Sequence, residues 1–321
     1  MVEAREENPA RRRAEVLARR WGEHLWRVVV TTVGSCLRHR VTGLAAEAAF
    51  FAVLSVPPLV FALAGSIGFV SDRFTATQLE DIRNAVLEVS RQALTERAVD
   101  KIIQPTIDTV LNGGRYDVIS IGFVLALWSG SRALNVFVDT ITIMHGLGGH
   151  RGIVATRALS FVLYALAMVT GAVSIPLVVA GPTLVDRVLP PRLDFLNNLY
   201  WPVVLAVCIC FLATLFHVSV PVRTKWRFNL PGATFALFCW VAGSYVLRWV
   251  LTVTAAESRS IYGPLAAPIA VLLWLYLLAL AVLIGAAVNA AFDTVWPQKS
   301  TTRARLEMVQ RLRERISVRD S

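Results

Sequence analysis

Five charged residues interrupt the long apolar stretches of this sequence, and they are its first candidates for chemistry: Glu47, Arg132, Asp139, Arg157 and Arg248. Arg132, Asn135 and Asp139 are spaced i, i+3 and i+7, so they share one face of a helix. An arginine at the centre of a membrane helix costs about 2.5–3.5 kcal/mol on insertion, so this face should meet protein or water. We predict a polar pathway for a substrate or ion along Glu47, Arg132, Asn135, Asp139, Arg157 and Asn289. Helix pairing and anchoring of helix ends are the alternative roles.

Enzyme motifs are missing from the sequence. The loop from Gly146 to Arg151 begins like a dinucleotide-binding G-x-G-x-x-G motif, but Arg151 stands at the third glycine position. The five histidines form no H-E-x-x-H motif, and neither a G-x-S-x-G nor a phosphate-loop lysine motif occurs. No pair among the four cysteines has zinc-ligand spacing. We therefore predict no enzyme, no metal site and no cofactor.

The elements that must position the polar residues are membrane helices. Of the 321 residues, 55% are apolar and 17% are charged, and mean hydropathy is +0.58, whereas a soluble domain has about 25% charged residues. A span needs about 20 apolar residues, and six stretches qualify: 43–70, 118–145, 153–181, 199–219, 231–254 and 263–292. The predicted fold is all-α, a polytopic bundle of six transmembrane helices with an extracytoplasmic pair of amphipathic helices.

Basic residues set the predicted orientation. The segments 1–42, 146–152, 220–230 and 293–321 hold 20 of the 32 Lys and Arg residues, which places them and both termini in the cytoplasm. Residues 43–292 then form the membrane domain of a multi-pass protein in a bacterial inner membrane. Three charges within the spans are arginines and two are acids, and Arg248 lies close enough to the outer end of its span to snorkel.

The two basic flanks have different predicted forms. Residues 1–42 indicate an interfacial helix on the anionic cytoplasmic leaflet, or a solvated basic helix that enforces topology. Within the basic C-terminal tail 293–321, the stretch from Arg303 to Arg319 alternates arginines with apolar residues and indicates a helix or a frayed tail. Membrane lipids are the expected partners, and nucleic acid is not expected, because topology and lipid attraction already explain the charge. The sequence leaves an oligomer open.

The outer segment, residues 71–117, is the largest predicted piece outside the bilayer. Apolar residues recur there at steps of three and four, which predicts two amphipathic helices separated near Thr95 or Pro105. Such a pair can cap the outer mouth of the bundle. It can also serve as a lid or as a surface for a lipid, a cargo or an envelope partner.

Prolines and small residues should shape the bundle. Pro57 and Pro58 lack amide protons and are predicted to kink or break the first span. Ala281, Gly285 and Asn289 repeat every four residues, which favours close approach of a neighbouring helix.

Three stretches of the chain resemble the YihY/BrkB-like membrane proteins. The first span, from Gly43 to Leu59, is similar to that family's A-x-x-F/Y-x-x-x-S-x-x-P stretch, and the run from Arg132 to Asn135 is similar to its ALN turn. The run from Tyr262 to Ala290 is similar to its YG-L, LLWLY and GAELNA signature. The resemblance covers residues 25 to 295, with the YhjD-like branch as the candidate subgroup. Val288 stands where the family has a Glu.

This resemblance implies six helices in a bacterial inner membrane with both ends in the cytoplasm. Relatives were once mislabelled as ribonuclease BN, others are called virulence factors, and one branch has been linked to lipopolysaccharide export. We hypothesise that the protein moves an amphipathic or anionic, lipid-like envelope molecule or assists its export. The alternative is an envelope scaffold without transport activity. A ribonuclease is disfavoured because Asp293, Glu307 and Glu314 form no recognisable site.

Overall fold

The structure is a computed structural model that describes residues 9–70, 116–180, 195–222, 224–256 and 266–319. Between 71 and 115 it describes only scattered positions, singly or in pairs, so the two predicted outer helices lie outside the described residues. The described part is helical and contains no strand, which confirms the all-α prediction.

Eight long α-helices and one short 3₁₀ turn make up the described chain. In order, they are α1 (Pro9–Arg38), α2 (Val41–Val70), α3 (Tyr116–Met144), α4 (Ile153–Ala180), α5 (Phe195–Ser219), the 3₁₀ turn (Trp226–Asn229), α6 (Leu230–Ala256), α7 (Ala266–Val295) and α8 (Lys299–Arg319).

Helices α2 to α7 coincide with the six predicted spans, and no boundary differs by more than four residues. Among the described residues, five stretches are long and apolar enough to cross a membrane: Ile121–Met144, Ile153–Thr170, Pro202–Ser219, Trp226–Thr252 and Pro268–Val295. A sixth consists of Gly22–Arg38 and Val41–Val56 taken together, two segments that meet at a bend of 62°. These apolar helices fit a multi-pass membrane protein.

The junction between α1 and α2 is a tight turn at Arg40, whose φ of 51° lies in the left-handed region. The turn directs α1 away from α2 and onto the end of α7. Val28 and Thr32 are buried on the inner side of α1. The opposite side exposes an apolar row at helical spacing, formed by Leu25, Trp26, Val29, Val30, Val33 and Leu37.

Helix α2 continues as an α-helix through Pro57 and Pro58 to Val70, so the proline pair does not end it. A kink at these prolines stays a prediction. The first half of α2 packs along α3, which carries the arginine of the predicted polar face.

The core joins α2, α3, α5, α6 and α7. Ile141, Phe216 and Leu283 are fully buried at its centre. Gly232 of α6 lies so close to Gly285 that a side chain on either glycine would overlap the facing helix. The predicted small-residue face of α7 therefore makes the close helix contact for which such residues are suited.

One end of the bundle, which we call the terminal face, consists of the loop 145–152, the segment 220–229 and helix α8. Gly146 and Gly149 adopt positive φ angles of 71° and 80°, which explains the glycines of this loop. Arg151 donates hydrogen bonds to the carbonyl oxygens of Val218, Ser219 and Val220 and so caps the end of α5. The residues that resembled a phosphate loop thus serve a helix connection.

Candidate functional site

Arg132 occupies the middle of α3, as the twelfth of the 24 residues in the apolar stretch Ile121–Met144. Its guanidinium carbon lies 4.8 Å from the ring centroid of Phe51 on α2, a cation–π contact. The side chain is exposed, and no ion pair with an acid is found for it among the described residues. The arginine therefore keeps hydrogen-bond donors available at mid-span.

Arg157 of α4 is a second cation on the same side of the bundle. Its guanidinium carbon lies 4.8 Å from the Trp128 ring and 5.4 Å from the Phe161 ring, and Nη2 donates to the Trp128 carbonyl oxygen at 3.4 Å. Arg132 and Arg157 thus both have aromatic support from residues of α2, α3 and α4, and two such guanidinium groups attract an anion.

A cavity of about 190 Å³ adjoins this pair along α3, toward the terminal face. It brings together three of the predicted residues, Glu47, Asn135 and Asp139. His39, from the turn between α1 and α2, also contributes to its wall. We call this cavity and the two arginines the polar groove. The groove has positive charge at mid-span and negative charge closer to the terminal face.

Small residues on α3 allow the helices around the groove to approach. Gly130 lies directly beneath the Tyr164 ring of α4, and a side chain at Gly130 would overlap that ring. Ser129 donates a hydrogen bond of 3.0 Å to the Phe51 carbonyl oxygen of α2. The hydroxyl of Ser160 on α4 donates to Oδ1 of Asn135 at 3.3 Å. These contacts fix α2, α3 and α4 around the groove.

Asn289 lies outside the groove, although the sequence grouped it with the pathway residues. Its Oδ1 accepts a hydrogen bond of 2.8 Å from the Gly232 amide, and its Nδ2 donates to the Asn229 carbonyl oxygen at 3.2 Å. Asn289 is 3% exposed. It therefore joins α7 to the first turn of α6 and satisfies two backbone groups there.

Asp293, one turn after Asn289, is the centre of a buried network at the terminal face. Its Oδ1 accepts hydrogen bonds from the Thr301 hydroxyl at 2.8 Å and from the Gln298 amide at 3.2 Å. Its Oδ2 forms an ion pair with Nη2 of Arg305 on α8 at 2.7 Å. The carboxylate is thus fully engaged in holding α8 against the bundle.

His145 completes the same network. Its Nδ1 bonds the Ile141 carbonyl oxygen at 2.8 Å, and its own carbonyl oxygen accepts from Nε of Arg305 at 2.8 Å. Burial lowers the pKa of His145, so the ring is neutral at pH 7. His145 and Asp293 line a cavity of about 10 Å³, which has room for about one water molecule. The part of the chain that the structure describes has no group of three metal-ligating side chains.

The contact between Arg305 and His145 could not be predicted from the sequence, because 160 residues separate them. The alternation of arginines with apolar residues from Arg303 to Arg319 predicts a helix or a frayed tail, and the structure has the helix α8 there. The burial of Ala304 and Thr301 on one side of α8 reveals its docking face. In the sequence, this side is marked only by small residues between basic ones.

The chain matches known proteins over most of its length. A sequence profile of the family described as Virulence factor BrkB matches residues 32–308. The chain is also 26% identical, over 263 residues, to the "Putative ribonuclease-like protein YfkH" of Bacillus subtilis (strain 168), an alignment that covers 78% of this chain and 90% of that protein. No solved structure matches. With most of its length inside the family profile and a bundle of apolar helices around a polar groove, the chain belongs to the BrkB family of membrane proteins.

Proposed function

We propose that the protein moves an anionic, lipid-like envelope molecule across the inner membrane, or assists its export, with the polar groove as the path of the headgroup. The observation that carries this proposal is Arg132, a mid-span cation supported by Phe51 and without an acidic partner among the described residues. A structural arginine in a bundle is normally paired, because an unpaired charge is costly in hydrocarbon. A passing anionic headgroup would supply the missing partner.

The neighbouring charges support a path for such a headgroup. Arg132 and Arg157 together can hold one phosphate through charge-assisted hydrogen bonds. Glu47 and Asp139 lie on the terminal side of the pair and repel the same anion, which prevents it from remaining bound in one place. With the termini in the cytoplasm, as the excess of basic residues on that side favours, the acids lie at the cytoplasmic end of the path.

A lipid-translocation assay tests the proposal. The protein is reconstituted into phosphatidylcholine vesicles with a trace of phosphatidylglycerol that carries a fluorophore on one acyl chain. The loss of fluorescence after dithionite is added outside reports the lipid that reaches the outer leaflet. We expect faster translocation than in empty vesicles, and at least a tenfold loss of the protein-dependent rate in Arg132→Gln, because one charge-assisted contact is worth about 1.5–3 kcal/mol. Arg248→Gln removes an exposed membrane arginine of α6 and should keep the wild-type rate.

Two results would refute the proposal. If wild-type vesicles are no faster than empty ones, the protein does not translocate this class of lipid, and an envelope scaffold becomes the better explanation. If Arg132→Gln and Arg248→Gln retain the same rate, the groove is not the path. A ribonuclease activity, which the name of the Bacillus relative raises, is not part of this proposal, because Asp293 and His145 of the terminal face are already engaged in structural bonds.

A further inference from the structure

A second cavity lies at the junction of α1 and α7, apart from the polar groove. Its volume is about 410 Å³, and its α1 wall includes His24, Arg27 and Thr31, while Thr294 lies on the α7 side. A volume of this size accommodates a small ligand or a lipid headgroup. We call it the α1 crevice.

Two polar side chains of the crevice, Arg27 and His24, lack hydrogen-bond partners among the described residues, whereas the Thr294 hydroxyl donates to the Ala290 carbonyl oxygen. Arg27 is exposed and has no ion pair or hydrogen bond with another described residue. Nδ1 of His24 is buried and has no hydrogen-bond partner among the described residues, although the ring packs against Trp296 at 5.5 Å between centroids. His24 and the exposed Arg27 both line the crevice, and a ligand that accepts hydrogen bonds would give the cation and the imidazole ring the partner that polar groups normally have.

The surface around the crevice is apolar. Trp26 is 68% exposed at its rim, and Val30 contributes to its wall. The exposed apolar row of α1, in which both residues take part, continues along the helix to Leu37, which is 75% exposed. A tryptophan at such a position is typical of the boundary between headgroups and acyl chains. The crevice therefore combines a cationic pocket with a surface suited to hydrocarbon.

We infer that the α1 crevice binds one anionic glycerophospholipid of the adjoining leaflet. The phosphate accepts hydrogen bonds from the Arg27 guanidinium and from His24, the hydroxyl of Thr31 is available to the glycerol oxygens, and the acyl chains lie along the apolar row of α1. The bound lipid fills the space between α1 and α7. This site is distinct from the polar groove and does not depend on the proposed transport.

Native mass spectrometry of the full chain tests the inference. The detergent-purified protein is titrated with phosphatidylglycerol, with phosphatidylcholine and with glycerol 3-phosphate, and the fraction that carries one added ligand is measured. We expect one tight phosphatidylglycerol, bound about tenfold more weakly by Arg27→Gln because a charge-assisted bond is lost. His24→Phe, which keeps the ring contact with Trp296, should also weaken binding.

Matched variants separate this site from general attraction of anionic lipid. Arg303→Gln removes an 84% exposed arginine of α8, and Arg248→Gln removes an exposed arginine of α6; both should bind the tight lipid as the wild type does. Equal losses in Arg27→Gln and Arg303→Gln would overturn the inference in favour of diffuse electrostatics. Unchanged phosphatidylglycerol binding by Arg27→Gln would also overturn the inference. If glycerol 3-phosphate binds as tightly as phosphatidylglycerol, the ligand is a free phosphate ester and the inference is again overturned. The melting temperature without lipid should be equal in Arg27→Gln and the wild type, which controls for folding.

Discussion

The ion pair between Arg305 and Asp293 should be the interaction that holds α8 to the bundle. Arg305 bridges two elements, because Nη2 bonds Asp293 of α7 at 2.7 Å and Nε bonds the His145 carbonyl oxygen at 2.8 Å. Asp293 is 4% exposed at its side chain and Arg305 is 30% exposed. Arg305→Gln removes the charge and both bonds while it keeps a side chain of similar length.

The size of the effect follows from these two bonds. A hydrogen bond to a charged group contributes about 1.5–3 kcal/mol, and removal of one partner of a buried ion pair costs about 3–5 kcal/mol. Because Arg305 is partly exposed, we expect the lower end, about 3 kcal/mol in the free energy of unfolding. With an unfolding entropy of about 2.1 cal/mol/K per residue, this corresponds to a fall of about 4 °C in melting temperature.

Arg303 supplies the control on the same helix. It forms an ion pair of 3.1 Å with Glu307, but the two side chains are 84% and 47% exposed. Exposed pairs spaced i, i+4 contribute about 0.3–0.5 kcal/mol, so Arg303→Gln should lower the melting temperature by less than about 1 °C.

Thermal unfolding in detergent, followed by tryptophan fluorescence, measures both variants. Limited trypsin digestion adds a local reading, since detachment of α8 in Arg305→Gln should speed cleavage at its remaining arginines. The double variant Asp293→Asn/Arg305→Gln should lose less stability than the sum of its two single variants, because each removes the same ion pair. Equal small shifts for Arg305→Gln and Arg303→Gln, with equal cleavage rates, would show that the Asp293 contact does not hold α8.

Two further predictions concern the groove and the terminal face. Gly130→Ala places a methyl group against the Tyr164 ring and should lower the free energy of unfolding by about 1–3 kcal/mol. Gly34→Ala, whose added methyl group would have no atom within 4 Å, should not lower it. Thermal unfolding compares the two variants, and equal melting temperatures would contradict the close packing at Gly130. Burial lowers the pKa of His145 in the folded protein. The contribution of the neutral ring to the free energy of unfolding is therefore present above the unfolded pKa of about 6.5 and is lost as pH falls below it. The free energy of unfolding then falls by up to about 1.4 kcal/mol per pH unit. The melting temperature should therefore fall less between pH 7.5 and 5.5 in His145→Gln than in the wild type, and identical slopes would contradict a buried neutral ring.

The helices were predictable because long apolar runs carry their own signal. A stretch of about 20 apolar residues has few alternatives to a membrane helix, and α2 to α7 begin and end near the predicted boundaries. The shared face of Arg132, Asn135 and Asp139 also follows from helical spacing alone. Its neighbours Phe51 and Arg157 come from other helices, and periodicity does not specify which helices pack together.

The roles of individual polar residues were harder to predict, because depth in a span does not reveal hydrogen-bond partners. Asn289 and Asp139 both belong to the predicted polar pathway, yet Asn289 is bonded to the backbone of α6 and the preceding turn while Asp139 lines an open cavity. The difference arises from contacts between residues far apart in the chain, such as Gly232 and Asn289. A sequence records which residues are polar, and only the packing of helices decides which of them are already satisfied.

The terminal face and the polar groove differ in whether their polar side chains have bonding partners. At the terminal face, the side chains of Asp293 and Asn289 have bonds from more than one element, so they contribute stability and leave little capacity for a ligand. In the groove, Arg132 has an aromatic support and no counter-ion among the described residues. Because an unpaired cation at mid-span is costly in hydrocarbon, selection for stability alone would favour a neutral residue there, as it favours bonded pairs at the terminal face. The groove arginines are therefore the place where the proposed anionic headgroup would supply the missing charge.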